Sequence, residues 1–164
     1  MSGKLRILVA MPREAELLGL PCEIIGMGAT SLPEISEDDV VVNVGYCGAN
    51  GIQVGTVVEP FISVDTGTWQ TEILEPHFDC KKTVCFTSRS FVTKPIFEAS
   101  AVYDMELSKI VSIKCRKLYC LKIVSDNLNE TDCENFNDAG AWAQVRQMLT
   151  EVINNTGPTG GIAL

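Results

Sequence analysis

Val40 to Gly45 is an apolar run broken only by Asn43, and a stretch of this kind suits a strand covered on both faces. That demand constrains the whole chain, because a sheet buried on both sides needs further layers packed against it. Gly45, Gly48, Gly51 and Gly55 follow at near-regular spacing. Glycines in such a place permit tight turns and close approach of the backbone to a ligand.

Strands and helices alternate around this run. Leu5 to Ala10 reads as a buried strand, and Pro12 sits where a first helical turn tolerates it, with Glu14 and Glu16 in the dipole-favoured opening turn. Glu23 to Gly28 reads as a second short strand closing on Gly26-Met27-Gly28, while the polar stretch Ser31 to Asp39 is too short for a substantial helix. Thr56 to Val64, Lys82 to Thr87 and Leu118 to Val124 read as further strands, the first two separated by a loop holding Gly67, Trp69, Pro76 and His77. Met105 to Lys114 is compatible with a helix, and Ala139 to Ile153, with Trp142, Val145, Met148, Leu149 and Val152, is the clearest amphipathic one. The expected fold class is α/β: a three-layer α/β/α single domain over residues 1–157 with a mixed, twisted central sheet, followed by a frayed tail at 158–164.

With 164 residues and 46% hydrophobic composition, the chain can bury one full core and is short for two. Thirteen basic against 21 acidic residues give a net charge of −8, which disfavours nucleic acid and anionic membrane as partners and leaves a small molecule as the expected one. The seven cysteines form an odd set without a CxxC pair, and the N-terminus lacks the apolar core of a signal peptide, so reduced thiols in the cytoplasm are expected. Zinc spacing is absent and His77 is the lone histidine, so neither a metal nor another cofactor is expected.

Three segments far apart in sequence each place a carboxylate just past an apolar run: Met11-Pro12-Arg13-Glu14, Asp104-Met105-Glu106 and Ser125-Asp126. Ligands of α/β sheets gather outside the carboxyl ends of the strands, so acids at the ends of separate strands can converge on one site. Each segment also has a purely structural reading. Glu14 suits a helix N-terminus, Asp104 and Glu106 a cap and first turn, Ser125-Asp126-Asn127 a polar turn, and Phe91 a core position.

Taken together and in order, these segments resemble the nucleoside phosphorylase and nucleosidase superfamily, most closely its methylthioadenosine/S-adenosylhomocysteine nucleosidase branch. Ile7-Leu8-Val9-Ala10-Met11 with Glu14 looks like the opening strand and catalytic glutamate, and Gly26-Met27-Gly28 like the glycine turn after the second strand. Val41 to Ala49 resembles the glycine-rich end of the central strand, Ser88 to Val92 the loop bearing a base-stacking aromatic, Asp104-Met105-Glu106 the ribose motif and Val124-Ser125-Asp126 the catalytic aspartate motif. The resemblance implies a phosphorylase/hydrolase-like fold and cleavage of a purine N-glycosidic bond.

That chemistry puts cationic character on the ribose and negative charge on the departing base, so an acid must protonate the base while other groups hold the sugar. By resemblance Asp126 is the acid and Glu14 orients or activates the attacking water. Glu106 accepts the ribose hydroxyls, Met105 packs on the sugar, Phe91 stacks on the purine, the backbone of Val92 reads its edge, and Gly45 and Tyr46 line the floor beside Ser125. Where the phosphorylase branch carries a phosphate-holding arginine, this chain has Asn43, which favours water over phosphate as nucleophile, although Arg13 and Arg89 remain as other sources of charge. The segments from Leu20 to Asp39 and after Glu59 look shortened against the family pattern. The resemblance further implies a homodimer, and the alternatives are a noncatalytic nucleoside-binding relative, a phosphate-dependent phosphorylase, or a hydrolase of another nucleoside or nucleotide.

Overall fold

The computed structural model describes residues 3–129 and 139–155. In chain order the elements are β1 (Leu5–Val9), α1 (Pro12–Leu18), β2 (Glu23–Ile24), a 3₁₀ turn at Met27–Ala29, β3 (Val40–Asn50), β4 (Val57–Asp65), β5 (Thr71–Ile73), β6 (Lys81–Thr87), β7 (Ala101–Asp104), α2 (Leu107–Ile110), β8 (Lys117–Asp126) and α3 (Ala139–Asn155).

All eight strands among the described residues join one mixed sheet. β3 is its spine: it pairs in parallel with β1 on one side and β8 on the other, and its far end, from Gly48 to Asn50, pairs antiparallel with β7. β8 continues to β4, β4 to β6 and β6 to β7, so β3, β8, β4, β6 and β7 close a ring. Every strand of the ring sends a side chain into its interior: Cys47 and Ala49 from β3, Val58 from β4, Cys85 from β6, Val102 from β7, and Cys120 and Val124 from β8. β2 extends the sheet beyond β1, and β5 lies at the edge beyond β4.

Strand alternation explains the two faces of the spine. Val40, Val42, Val44 and Tyr46 point to one side and meet Leu18 of α1 and Trp142, Val145, Leu149 and Val152 of α3. The odd-numbered Val41 points the other way, toward Leu8, Ile25 and Ile110. The helix α3 lands on the first face through its 3.6-residue stripe, and the Trp142 indole N–H donates to the Tyr46 hydroxyl at 3.0 Å. Arg146 ties α3 to α1 by donating to the Leu17 carbonyl at 2.8 Å.

The α/β architecture with a mixed sheet agrees with the sequence expectation, whereas the second helical layer is thin. Among the described residues that face is covered by the single turn of α2 and by coil carrying Ile25, Ile35 and Ile113. The helix expected over Met105 to Lys114 shrinks to four residues. Glu106 is drawn out of helical geometry (φ −126°, ψ −35°) as its carboxylate accepts the Gly28 N–H, and a short Ile113-to-Ile110 bond ends the turn. Two strands went unread. β5 breaks up the loop expected around Trp69, and β7 has four residues whose pairing to β3 and β6 supplies the order that its short pattern does not signal. The strand expected over Glu23 to Gly28 covers only Glu23–Ile24 and gives way to the 3₁₀ turn. The tail expected at 158–164, like Cys133, lies outside the described residues.

Candidate functional site

The carboxyl ends of β1, β7 and β8 and the middle of β3 meet around one cavity of about 90 Å³. Glu14, Tyr46, Phe91, Met105, Glu106, Ser125 and Asp126 line it together with Asp104. Val92 lines a smaller adjoining hollow of about 30 Å³, which shares Phe91, Gly48 and Met105 with the first. Gly45 lies under Glu14 and does not line either space.

Each carboxylate is fixed by backbone donors. Glu14, 2% exposed, reaches back from the first turn of α1 so that Oε1 accepts the N–H groups of Ala10 and Met11 at 2.9 and 3.0 Å, and Oε2 accepts that of Tyr46 at 2.7 Å. This last contact exists because residue 45 has no side chain: a Cβ there would sit 2.7 Å from Glu14 Oε2. Burial raises the Glu14 carboxyl above its ordinary range, with the Tyr46 N–H and the Lys122 charge opposing the shift.

Asp126 repeats the device at the end of β8. Its Oδ1 accepts Leu128 N–H at 2.8 Å and Asn129 N–H at 3.2 Å, and Oδ2 accepts the Ser125 hydroxyl at 2.8 Å. A Cβ on Gly48 would stand 2.9 Å from Asp126 Oδ1, so glycine is again what lets the carboxylate approach the spine. The turn that wraps the aspartate forces Leu128 to φ +69°, a left-handed conformation disfavoured for a branched side chain. Asn127 anchors this turn by donating to the carbonyls of Ala49 and Ile52 at 3.3 and 3.0 Å.

Glu106 Oε2 accepts Gly28 N–H at 2.8 Å, which fastens the 3₁₀ turn to the cavity wall. Burial, together with neighbouring Asp104 and Glu14 and against the attraction of Lys122, pushes the Glu106 carboxyl up to about 7. Asp104 is held by Thr87, whose hydroxyl donates to Oδ1 at 2.6 Å, and by Leu107 N–H on Oδ2 at 2.8 Å.

One charged residue of this centre escaped the sequence reading. Lys122, 1% exposed, points from β8 into the ring and sets its Nζ 3.1 Å from Asp104 Oδ2. Burial works against its charge, yet Asp104 outweighs it and holds the ammonium pKa well above the ordinary value. The signal was a lone lysine inside the apolar run Leu118 to Val124. Tyr103, Cys47 and Met27 also line the cavity without having been singled out for it, and burial pushes the Cys47 thiol well up, away from thiolate chemistry.

Two sequence candidates stand elsewhere. Asn43 is buried between strands, donating to the Leu8 carbonyl at 3.2 Å, and does not line the cavity. His77, expected as a surface or loop residue, is half-buried with its ring edge-on to Tyr119 at 4.5 Å and its Nε2 buried without a hydrogen bond. Among the described residues no group of histidine, cysteine and carboxylate side chains could hold a metal ion. No helix among them is long and apolar enough to cross a membrane.

No family model matches the chain, and no curated protein matches it by sequence. Solved structures do share its shape. An Asp-to-Asn variant of the nucleosidase MTAN from Chlamydia trachomatis bound to MTA gives a TM-score of 0.77 at 16% identity, covering 94% of this chain and 100% of that one. The apo 5′-methylthioadenosine nucleosidase of Arabidopsis thaliana gives 0.65 at 15% identity, covering 96% and 97%. The S-adenosylhomocysteine nucleosidase of Streptococcus pyogenes, in complex with 5-methylthiotubericidin, gives 0.68 at 14% identity, covering 93% and 98%. At these identities the likeness is one of fold: the chain has the nucleoside phosphorylase and nucleosidase fold in its MTAN-like form.

Proposed function

We propose that this chain is a purine nucleosidase that hydrolyses the N-glycosidic bond of an adenosine-type nucleoside, of the methylthioadenosine or S-adenosylhomocysteine kind. The observation that carries the reading is the gathering of Glu14, Glu106 and Asp126 around one cavity, within a fold shared with nucleosidases.

In this reading Phe91 stacks on the purine and the backbone of Val92, at the adjoining hollow, reads its edge. Met105 packs on the sugar, Glu106 accepts its hydroxyls, and Tyr46 forms the floor, with Gly45 beneath Glu14 rather than on the cavity wall. Glu14 Oε2 accepts one backbone N–H and keeps a lone pair for the attacking water. Water oxygen bonds to C1′ as the C1′–N bond breaks; the bonding pair leaves with the purine, Asp126 supplies the proton the base needs, and Glu14 takes one from the water. Ser125 fixes Asp126 through Oδ2. Asp-to-Asn variants of the nucleosidases from Chlamydia trachomatis and Helicobacter pylori hold methylthioadenosine, in keeping with an acid role for an aspartate, which this reading gives to Asp126.

Water is favoured over phosphate because no arginine or lysine lines this cavity among the described residues, while the side chain at position 43 is spent between strands. The reading includes a cytoplasmic homodimer with a small-molecule nucleoside as partner and no cofactor.

Adenine release from methylthioadenosine, S-adenosylhomocysteine and adenosine, and hypoxanthine release from inosine, each with and without phosphate, test it. Phosphate-independent release that Asp126→Asn abolishes is the expected result. Tight binding without release from any of them identifies a noncatalytic relative, and release only with phosphate identifies a phosphorylase.

A further inference from the structure

A second and larger cavity, of about 470 Å³, opens beside the first and shares Met27 and Met105 with it. Ligand pockets commonly enclose about 300–1,000 Å³, so the roughly 90 Å³ beside the carboxylates leaves most of the room for a bound molecule in this second space. Its wall is chemically unlike that of the first. The carboxyl ends of β4 and β6 and the start of α2 supply Arg89, Lys109, Asp65 and the hydroxyls of Thr66, Ser88 and Ser108.

The two cations are the distinguishing feature, in a chain whose net charge is −8. Asp65 does not cancel both. Its Oδ1 accepts the N–H groups of Gly67 and Thr68 at 2.7 and 3.2 Å, and its Oδ2 accepts the Ser108 hydroxyl at 3.2 Å. With Arg89 and Lys109 set against Asp65, the wall carries one net positive charge. Lys109 donates from Nζ to the Gly28 carbonyl, and Gly28 donates its own N–H to Glu106 Oε2 at 2.8 Å. One glycine turn therefore joins the carboxylate assigned to the ribose hydroxyls with a cation of the second cavity.

We infer that this second cavity is a subsite for a phosphate monoester on the 5′ carbon of the nucleoside, so that the chain accepts a nucleoside 5′-monophosphate. This rests on the nucleosidase reading. With Met105 against the sugar and Glu106 on its hydroxyls, the shared Met27–Met105 wall is where the remaining substituent of the ribose leaves the first cavity. An uncharged methylthio group there would meet neither cation with an opposite charge, whereas a phosphate takes a bidentate guanidinium, an ammonium and hydroxyl donors. Water adds to C1′ as before, the base leaves protonated, and the products are adenine and ribose 5-phosphate.

The test compares adenosine 5′-monophosphate, adenosine, methylthioadenosine and S-adenosylhomocysteine in the native chain, in Arg89→Ala and in Lys109→Ala. The nucleotide should exceed adenosine in kcat/KM by about tenfold or more, and either substitution should collapse that ratio, as expected where charge-assisted contacts hold a phosphate. Adenosine or methylthioadenosine cleaved as well as the nucleotide, a ratio unmoved by both substitutions, or a preference for the amino-acid tail of S-adenosylhomocysteine overturns the inference. Inorganic phosphate added to adenosine separates the two sources of the anion: ribose 1-phosphate as product would make phosphate the nucleophile and overturn it as well. Calorimetric binding of the nucleotide and adenosine covers failure of the nucleosidase reading itself. Tighter binding of the nucleotide, lost in Arg89→Ala, sustains the subsite without turnover, and equal binding removes it.

Discussion

Lys122 Nζ and Asp104 Oδ2 lie 3.1 Å apart with both side chains buried, one from β8 and the other from the last position of β7. The pair closes the ring of strands electrostatically at the floor of the site, and its ammonium also attracts Glu14 and Glu106. Removing one partner strands the other charge in a low-dielectric interior. Lys122→Met should cost about 3–5 kcal/mol of stability, the usual penalty for breaking a buried pair. Denaturant unfolding checks it, and Asp104→Asn added to Lys122→Met should recover part of the loss. A single variant as stable as the native chain would show that the pair contributes nothing.

Gly45→Ala should damage the site more than the fold. The new Cβ meets Glu14 Oε2 at 2.7 Å, closer than the carboxylate tolerates, so Glu14 must give up the Tyr46 N–H. Loss of one hydrogen bond to a charged group costs about 1.5–3 kcal/mol. Turnover should fall by at least an order of magnitude in kcat, in keeping with the loss of one oriented general base. Unchanged kcat in a folded variant would remove Glu14 from the chemistry.

The Glu106 carboxyl titrates near 7, above its ordinary 4.5, because burial disfavours its charge. A folded-state pKa above the unfolded one gives stability that is complete below the unfolded value and is lost as pH rises through the folded value. The window therefore runs from about pH 4.5 to 7, and the contribution is about 3 kcal/mol at 1.36 kcal/mol per pH unit. Glu106→Gln should flatten that part of the stability profile. In the native chain kcat/KM should rise through the same range, since an ionised Glu106 accepts ribose hydroxyls better than a neutral one. A flat kcat/KM between pH 5 and 8, on the order of that window, would separate Glu106 from the sugar.

The site was legible in the sequence where an acid follows a strongly apolar strand. Glu14 and Asp126 announce themselves that way, and the three acidic segments meet as strand-end logic expects. Lys122 gave no comparable cue, because a lysine in a strand ordinarily faces water and only Asp104, on a different strand, makes its burial tolerable. β7 was hidden by its length: four residues carry too little alternation, and its order comes from neighbours near residues 48 and 86. The second cavity is equally non-local, since Asp65, Arg89 and Lys109 are brought together by β4, β6 and α2.

Ser125→Ala separates the orientation of Asp126 from its role as acid. The Ser125 hydroxyl donates to Oδ2 at 2.8 Å, while Leu128 and Asn129 hold Oδ1 independently, so the aspartate stays in place with one oxygen freed. Asp126→Asn removes the acid itself and should lower kcat by about 10²–10⁴, the usual worth of a general acid. Ser125→Ala should cost less, about tenfold, because only positioning is lost. Both variants should keep their binding of an unreactive adenosine analogue, since neither residue carries the stacking on Phe91 or the contacts of Glu106. Measuring kcat and the analogue's Kd for the two variants side by side gives the order: equal losses in kcat would make the serine part of the acid, and no loss in Asp126→Asn would move the acid elsewhere.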